Sequence, residues 1–440
     1  KKKYLKHCCI KFGNVVLILI FATLFQIKTQ LCCIIKIMRV SKNLVLALAS
    51  ISVLYTSCKK DDHEHDHGGD DNKEYRFVRV LVSDVNDKKI TQINPNDGTQ
   101  ASFEARFPNA TLYSTYNSRF AALLYGNDNF TEFFDSGLEY HGDHVDVKGT
   151  AKFGSITATG LKPTHFKSKG NESLIFNDGD GTLSIASENE FHVANAKMRT
   201  INAGLDAHHG AMAQFDNGNI AVTQLDKAST LSGPHAVKII NASGATVHQS
   251  TLAVSRLHGN ASDGKNAVFG VDGGILVVNE NGTQKIVPNL SDFGTVRLGT
   301  ILYATKTKKF IGYAANKGAY FIDLAANKLT PIVTGTDFIQ CKVDKSGSNL
   351  LTLTLDGTLS IYNLTDGSLV KSAKTIPASA STDTYKPVIE ATDKFVYAVI
   401  PAAGEVLQIK RSDFNNVSKI KVTALPSKIA ILGHETDESH

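Results

Sequence analysis

Tryptophan is missing from the whole 440-residue chain, which removes repeat classes built on a Trp-Asp signature and quinoproteins built on Trp docking motifs. Cysteine is nearly missing from the part that can fold. Of six, Cys8, Cys9, Cys32, Cys33 and Cys58 come early and only Cys341 follows. A lone thiol has no partner, so the 383 residues from Cys58 onward cannot lean on disulfides and need a large apolar core. The alternation Ile339-Gln340-Cys341-Lys342-Val343 reads as a strand with Cys341 buried. Its place nine residues before Leu350 leaves a channel-lining thiol as the alternative. No Gly-x-Ser-x-Gly elbow, phosphate loop or His-Glu-x-x-His segment occurs, so acyl-transfer, nucleotide and zinc-protease chemistries lack their motifs. From Tyr75 onward no segment has the period of a long amphipathic helix.

Acidic residues are absent from residues 1–57, which hold nine of the 47 Lys and Arg. The remainder has 38 basic against 42 acidic side chains, a net charge of −4, and no nucleic-acid partner is expected. Residues 1–37, upstream of the first Met (Met38), read as an over-extended translation start. Residues 38–57 then read as a lipoprotein signal peptide: Arg39 and Lys42, an apolar run from Leu44 to Tyr55, and small residues before Cys58. The expectation is lipidation at Cys58, a membrane anchor, and a place in the periplasm or cell envelope.

Residues 58–74 form a tail without a core-forming run. Asp61-Asp62-His63-Glu64-His65-Asp66-His67 alternates imidazole with carboxylate, a composition that collects divalent transition metals, so His63, His65 and His67 are expected to capture metal.

Residues 75–440 repeat. Apolar hairpins begin at Phe77, Phe120, Leu174, Ile220, Val268, Phe310, Leu350 and Phe395, at intervals of 43, 54, 46, 48, 42, 40 and 45 residues. A period in the mid-forties with Gly, Asn and Asp turns is the mark of an all-β fold, a β-propeller of four-stranded antiparallel blades. Eight units predict eight blades, with seven as the alternative, and Lys428–Leu432 is expected to close the ring. Asn177-Asp178-Gly179-Asp180-Gly181 has the look of a calcium loop but lacks the terminal Glu, so a hairpin turn explains it better.

Three histidines recur in phase with the blades. His165, His209 and His258 are 44 and 49 residues apart, each about nine residues before an apolar strand. Equivalent places in successive blades converge at one end of the central channel, where three imidazoles suit a divalent metal. His208 cannot face the same way as its neighbour His209 and stands as the alternate ligand. His141-Gly142-Asp143-His144 lies in the longest interval and is expected to fold as a flap over the channel mouth, with Asp143 or Asp146 as a further ligand or as an acceptor for an imidazole.

These motifs resemble the periplasmic zinc metallochaperones of the AztD type. The matching stretches are 137–144, Lys162-Pro163-Thr164-His165-Phe166, 176–181, Ala207-His208-His209-Gly210 and Leu257-His258-Gly259-Asn260, with the His/Asp-rich tail before them. The resemblance implies a zinc-binding propeller that passes Zn2+ to the solute-binding protein of a zinc ABC transporter. The apparent anchor at Cys58 departs from a freely diffusing carrier. The expected protein is a monomer and not an enzyme; the alternatives are a metal-dependent, lactonase-like hydrolase and a metal-free surface interaction propeller.

Overall fold

The computed structural model describes residues 72–439. The translation start, the signal segment, Cys58 and the tail histidines His63, His65 and His67 lie outside them. Within them are eight four-stranded antiparallel sheets, so the ring has eight blades and not seven. One further hairpin, Leu138–Tyr140 with Val145–Val147, stands apart from the blades. No helix among the described residues is long and apolar enough to cross a membrane.

Seven of the eight blades start at the channel. In each, the first strand approaches the first strands of its neighbours: Thr111–Ser114, Pro163–Lys169, Met212–Gln214, His258–Ser262, Thr300–Ala304, Phe338–Val343 and Val388–Ala391. The hairpins expected from sequence are the second and third strands. They are mostly buried because each sheet is covered on both faces by its neighbours. Phe120–Tyr125 and Phe395–Ile400 are buried at every position. Outermost strands such as Leu369–Lys374 are half in water.

The core therefore lies between blades. Phe120, Ala122 and Phe133 of one blade pack on Phe166 and Ile175 of the next. Leu174, Phe176 and Leu183 pack on Met212, Ile220 and Val222. Cys341 is buried beside Ile311, Tyr313 and Leu350, and burial pushes its thiol well above the usual range. It is a core thiol and does not line the channel.

The ring closes with the last strand. Pro426–Gly433 pairs antiparallel with Val78–Asp84, in the register Val80↔Ile431 and Val82↔Ile429. It takes the inner place in a blade whose other strands come from the start of the domain.

Antiparallel order sorts the loops onto two faces. The entry to each first strand and the turn between second and third strands share one face. The turn between first and second strands, and the link between third and fourth, share the other.

Candidate metal centre

His165 and His258 sit near the starts of their inner strands, and His209 just ahead of Met212–Gln214. All three therefore belong to the same face. Their rings meet. His209 Nε2 lies 3.4 Å from His165 Nε2 and 3.1 Å from His258 Nε2. The ring centroids of His165 and His258 are 6.0 Å apart. One nitrogen from each lies within 4.8 Å of the others, and the three form a group able to hold a metal ion among the described residues. Two ligands of a tetrahedral zinc at roughly 2.0–2.1 Å lie about 3.3–3.4 Å apart. The closest approaches match that edge.

Two of the rings have their protons fixed elsewhere. His258 Nδ1 faces the carbonyl of Gly299 at 2.9 Å, and a carbonyl can only accept. His209 Nδ1 donates to Asp178 Oδ2 at 2.6 Å. With both rings in their neutral form, the two Nε2 atoms turn lone pairs toward each other, an arrangement that a shared cation relieves. Burial, then the nearby His209, pushes His165 down to about 4, and burial also lowers His258. Burial acts to raise Asp178, but hydrogen bonds from His209 and Thr164 outweigh it and hold the carboxyl below its ordinary range. The carboxylate is thus charged where it orients His209.

Glycine makes the close approach possible at two positions. Gly259 has φ +62°, and a side chain there would run into the Gly299 carbonyl that fixes His258. A side chain at Gly210 would enter the ring of Phe176, which supports the loop carrying His209.

His208 turns the other way. It is buried, with Nδ1 donating to the Asp206 carbonyl at 2.7 Å and Nε2 accepting from Thr223 Oγ1 at 2.9 Å. With both nitrogens engaged it holds the loop and offers no lone pair to the cluster.

The His141–His144 segment is not brought to the triad. It joins the third strand of its blade, Phe130–Asp135, to the fourth, Lys152–Ala158, and such links open on the opposite face. There His141 Nε2 lies 3.3 Å from both Glu139 and Asp146, and Asp143 Oδ1 lies 2.6 Å from His144 Nδ1. Lys148 donates to Asp146 at 2.9 Å, so an ammonium already shares that carboxylate. The Tyr140 ring stacks on His434 at 4.4 Å, pinning the hairpin to the end of the chain. The expected flap over the histidine mouth is therefore a hairpin on the far side of the ring.

Sequence reading missed Asp178 and Gly299. Asp178 lies in the stretch assigned to a turn, and it is a turn, between Glu172–Asn177 and Thr182–Ser187. That turn opens on the triad's face, the signal that could have identified its second role. Replacing Asp178 by Asn is expected to weaken metal binding about 10- to 100-fold, as loss of an outer-shell carboxylate does. Calorimetry reads this, and unchanged affinity would show that Asp178 does not tune His209.

No protein-family model and no curated protein matches the chain. Among solved structures, the crystal structure of AztD from Citrobacter koseri superposes with a TM-score of 0.74 at 20% identity, covering 83% of this chain and 100% of that one. The apo AztD structure from Citrobacter koseri gives 0.73 at 19%, covering 81% and 98%. The dihydro-heme d1 dehydrogenase NirN in complex with DHE gives 0.55 at 13%, covering 82% and 75%. At these identities the likeness is one of fold.

Proposed function

We propose that this chain is a zinc-handling protein of the cell envelope, a carrier and not an enzyme. The observation that carries the reading is the meeting of three imidazoles from successive blades, two of them with their protons fixed on the outward nitrogen. Three neutral nitrogens hold a borderline-soft divalent ion, and a fourth position stays free for exchange. A closed four-ligand site would resist release.

The AztD-like fold and the resemblance of the histidine motifs support zinc as cargo and the solute-binding protein of a zinc ABC transporter as recipient. Selectivity is a property to be measured, since imidazole sites favour copper by intrinsic affinity. The carboxylate attached to the triad is committed to the His209 ring and to the Gly210 amide, so it is not placed to act as a base for a metal-bound water. That weighs against a hydrolase.

We further propose that the His63, His65 and His67 tail collects zinc and that Cys58 tethers the protein. Residues 72–77 enter the ring ahead of a second strand, on the face opposite the triad. In this reading the tail captures the ion and passes it by ligand exchange to the stronger triad site.

Elemental analysis and calorimetry of protein prepared without added metal test the reading. The expected result is one tightly bound zinc per chain beyond what the tail holds. A chain that takes up none at the triad would leave only a histidine-tailed propeller.

A further inference from the structure

On the face opposite the triad, a cavity of about 600 Å³ opens between five segments. They are the turn 115–119 of the second blade, the hairpin 138–147, the turn 170–171 of the third blade, the stretch 188–192, and His434 just past the closing strand. His141 lines it, although the triad leaves that residue without a part.

The charges around this cavity are matched among themselves. Arg119 grips the buried Asp135 with Nε at 3.0 Å and Nη2 at 2.9 Å, and Nη1 donates to Glu139 at 3.1 Å. Lys148 lies 3.3 Å from the other Glu139 oxygen. Burial pushes the Glu188 carboxyl up, and its Oε2 accepts from the Asn117 amide at 3.1 Å. An anion finds no free cation here, and each carboxylate is already bonded.

Hydrogen-bonding capacity is left over, in donors and in acceptors. Arg119 has five N–H groups, and its three bonds leave two of them unused. His192 Nε2 donates to Asp135 Oδ2 at 2.7 Å, so Nδ1 of the neutral ring keeps a lone pair. Asn171 accepts from Asn117 at 2.7 Å and keeps its own amide hydrogens. Among the described residues, the Asn189 side chain and the Tyr116 hydroxyl have no hydrogen-bond partner. Two rings stand beside these groups: Tyr116 is 64% exposed and Tyr140 44%. The Tyr140 ring is fixed by His434, stacked at 4.4 Å, and by its hydroxyl on the Gly142 carbonyl. Exposed aromatics at the rim of a polar cavity mark a ligand site.

We propose that this cavity binds a neutral sugar of one or two pyranose rings. Each sugar hydroxyl both donates and accepts, which suits a wall with spare donors, spare acceptors and compensated charge. Arg119, Asn171, Asn189 and His192 supply the bonds, and Tyr116 supplies a flat surface for the C–H face of a ring. The volume lies within the roughly 300–1,000 Å³ of small-ligand pockets. The inference stands whether or not the triad binds metal, since the two sites open on opposite faces.

Saturation-transfer NMR and calorimetry of the full chain test it, with maltose, cellobiose and lactose as probes and glycerol as a polyol without a ring. At least one disaccharide is expected to bind saturably, one per chain, and glycerol is not. Tyr116→Ala should weaken that binding about tenfold and Asn189→Ala about fivefold. Both side chains are exposed, so the thermal midpoints should match the parent. The His209→Ala/His258→Ala variant should bind the sugar as the parent does. The proposal falls if no disaccharide binds saturably, if glycerol binds as well as the disaccharides, or if folded Tyr116→Ala keeps the parent's affinity.

Discussion

The His209→Ala/His258→Ala variant is expected to lose zinc affinity by on the order of ten-thousandfold while keeping its fold. A four-ligand structural zinc site is worth roughly 10–16 kcal/mol, so one ligand carries about 3 kcal/mol, or about a hundredfold or more in affinity. His209 is exposed and His258 partly so, and neither is part of an interblade core cluster. Removing them deletes two facing lone pairs and leaves the packing beneath intact. Far-ultraviolet circular dichroism and the thermal midpoint should therefore match the parent. The single variant His165→Ala should show a smaller loss, and His208→Ala a different pattern, a lower midpoint with the affinity much less affected. His208 is tied to Thr223 and Asp206 inside the blade. Unchanged zinc affinity in the double variant, measured by calorimetry, would falsify the triad as the binding site.

The phase that exposed this site in the sequence also explains what the sequence hid. Hairpins such as Phe120–Phe134 and Phe395–Ile409 were legible because the two middle strands of a blade are apolar and joined by tight turns. Counting them points to eight blades, with seven as the alternative, and places histidines at similar offsets at one mouth, although Cys341 shares that offset and is buried in the core. His165, His209 and His258 all precede an inner strand or open one, so the rule held for them. The interval between hairpins contains two links of opposite sense, one on each face of the ring. Residues 136–151 occupy the first of these, and only the strand Lys152–Ala158 that follows them reveals it. That strand is weakly patterned, with exposed and half-exposed positions at its start. Interval length alone therefore places His141 and His144 at the histidine mouth, whereas they lie across the wheel. Asp178 was hidden for another reason: its role depends on a loop 31 residues on, and a turn residue has a sufficient local explanation.

Deleting residues 425–440 is expected to abolish the soluble folded monomer. The strand Pro426–Gly433 has one hydrogen-bonded neighbour, Val78–Asp84, but its side chains serve two interfaces. Ile429 and Ile431 pack with Phe395, Tyr397 and Val399 of the last blade, whereas Ala430 and Leu432 pack with Leu112, Leu123 and Phe134 of the second. At about 1.5–3 kcal/mol for each fully buried large side chain, Ile429, Ile431 and Leu432 contribute roughly 5–9 kcal/mol. Whole domains are stable by only about 5–15 kcal/mol. The loss is more than apolar area. Without the strand, Val78–Asp84 presents an unpaired, largely apolar edge at the centre of the molecule, and the last blade no longer meets the first. An open ring of this kind exposes an edge that pairs with other chains. Size-exclusion chromatography should find the truncated chain aggregated. A milder variant keeps the test readable if nothing soluble is recovered: Ile431→Ala should cost about 2–5 kcal/mol in denaturant unfolding, as large-to-small core changes do. The histidine triad is remote from this seam in the chain, yet its three blades keep their angular spacing only in a closed circle. Ile431→Ala should therefore lower stability first and leave zinc affinity unchanged for as long as the ring stays shut. A truncated chain that remained monomeric and melted cooperatively would mean that the blades do not need closure to hold their places, and the convergence of His165, His209 and His258 would then need another cause.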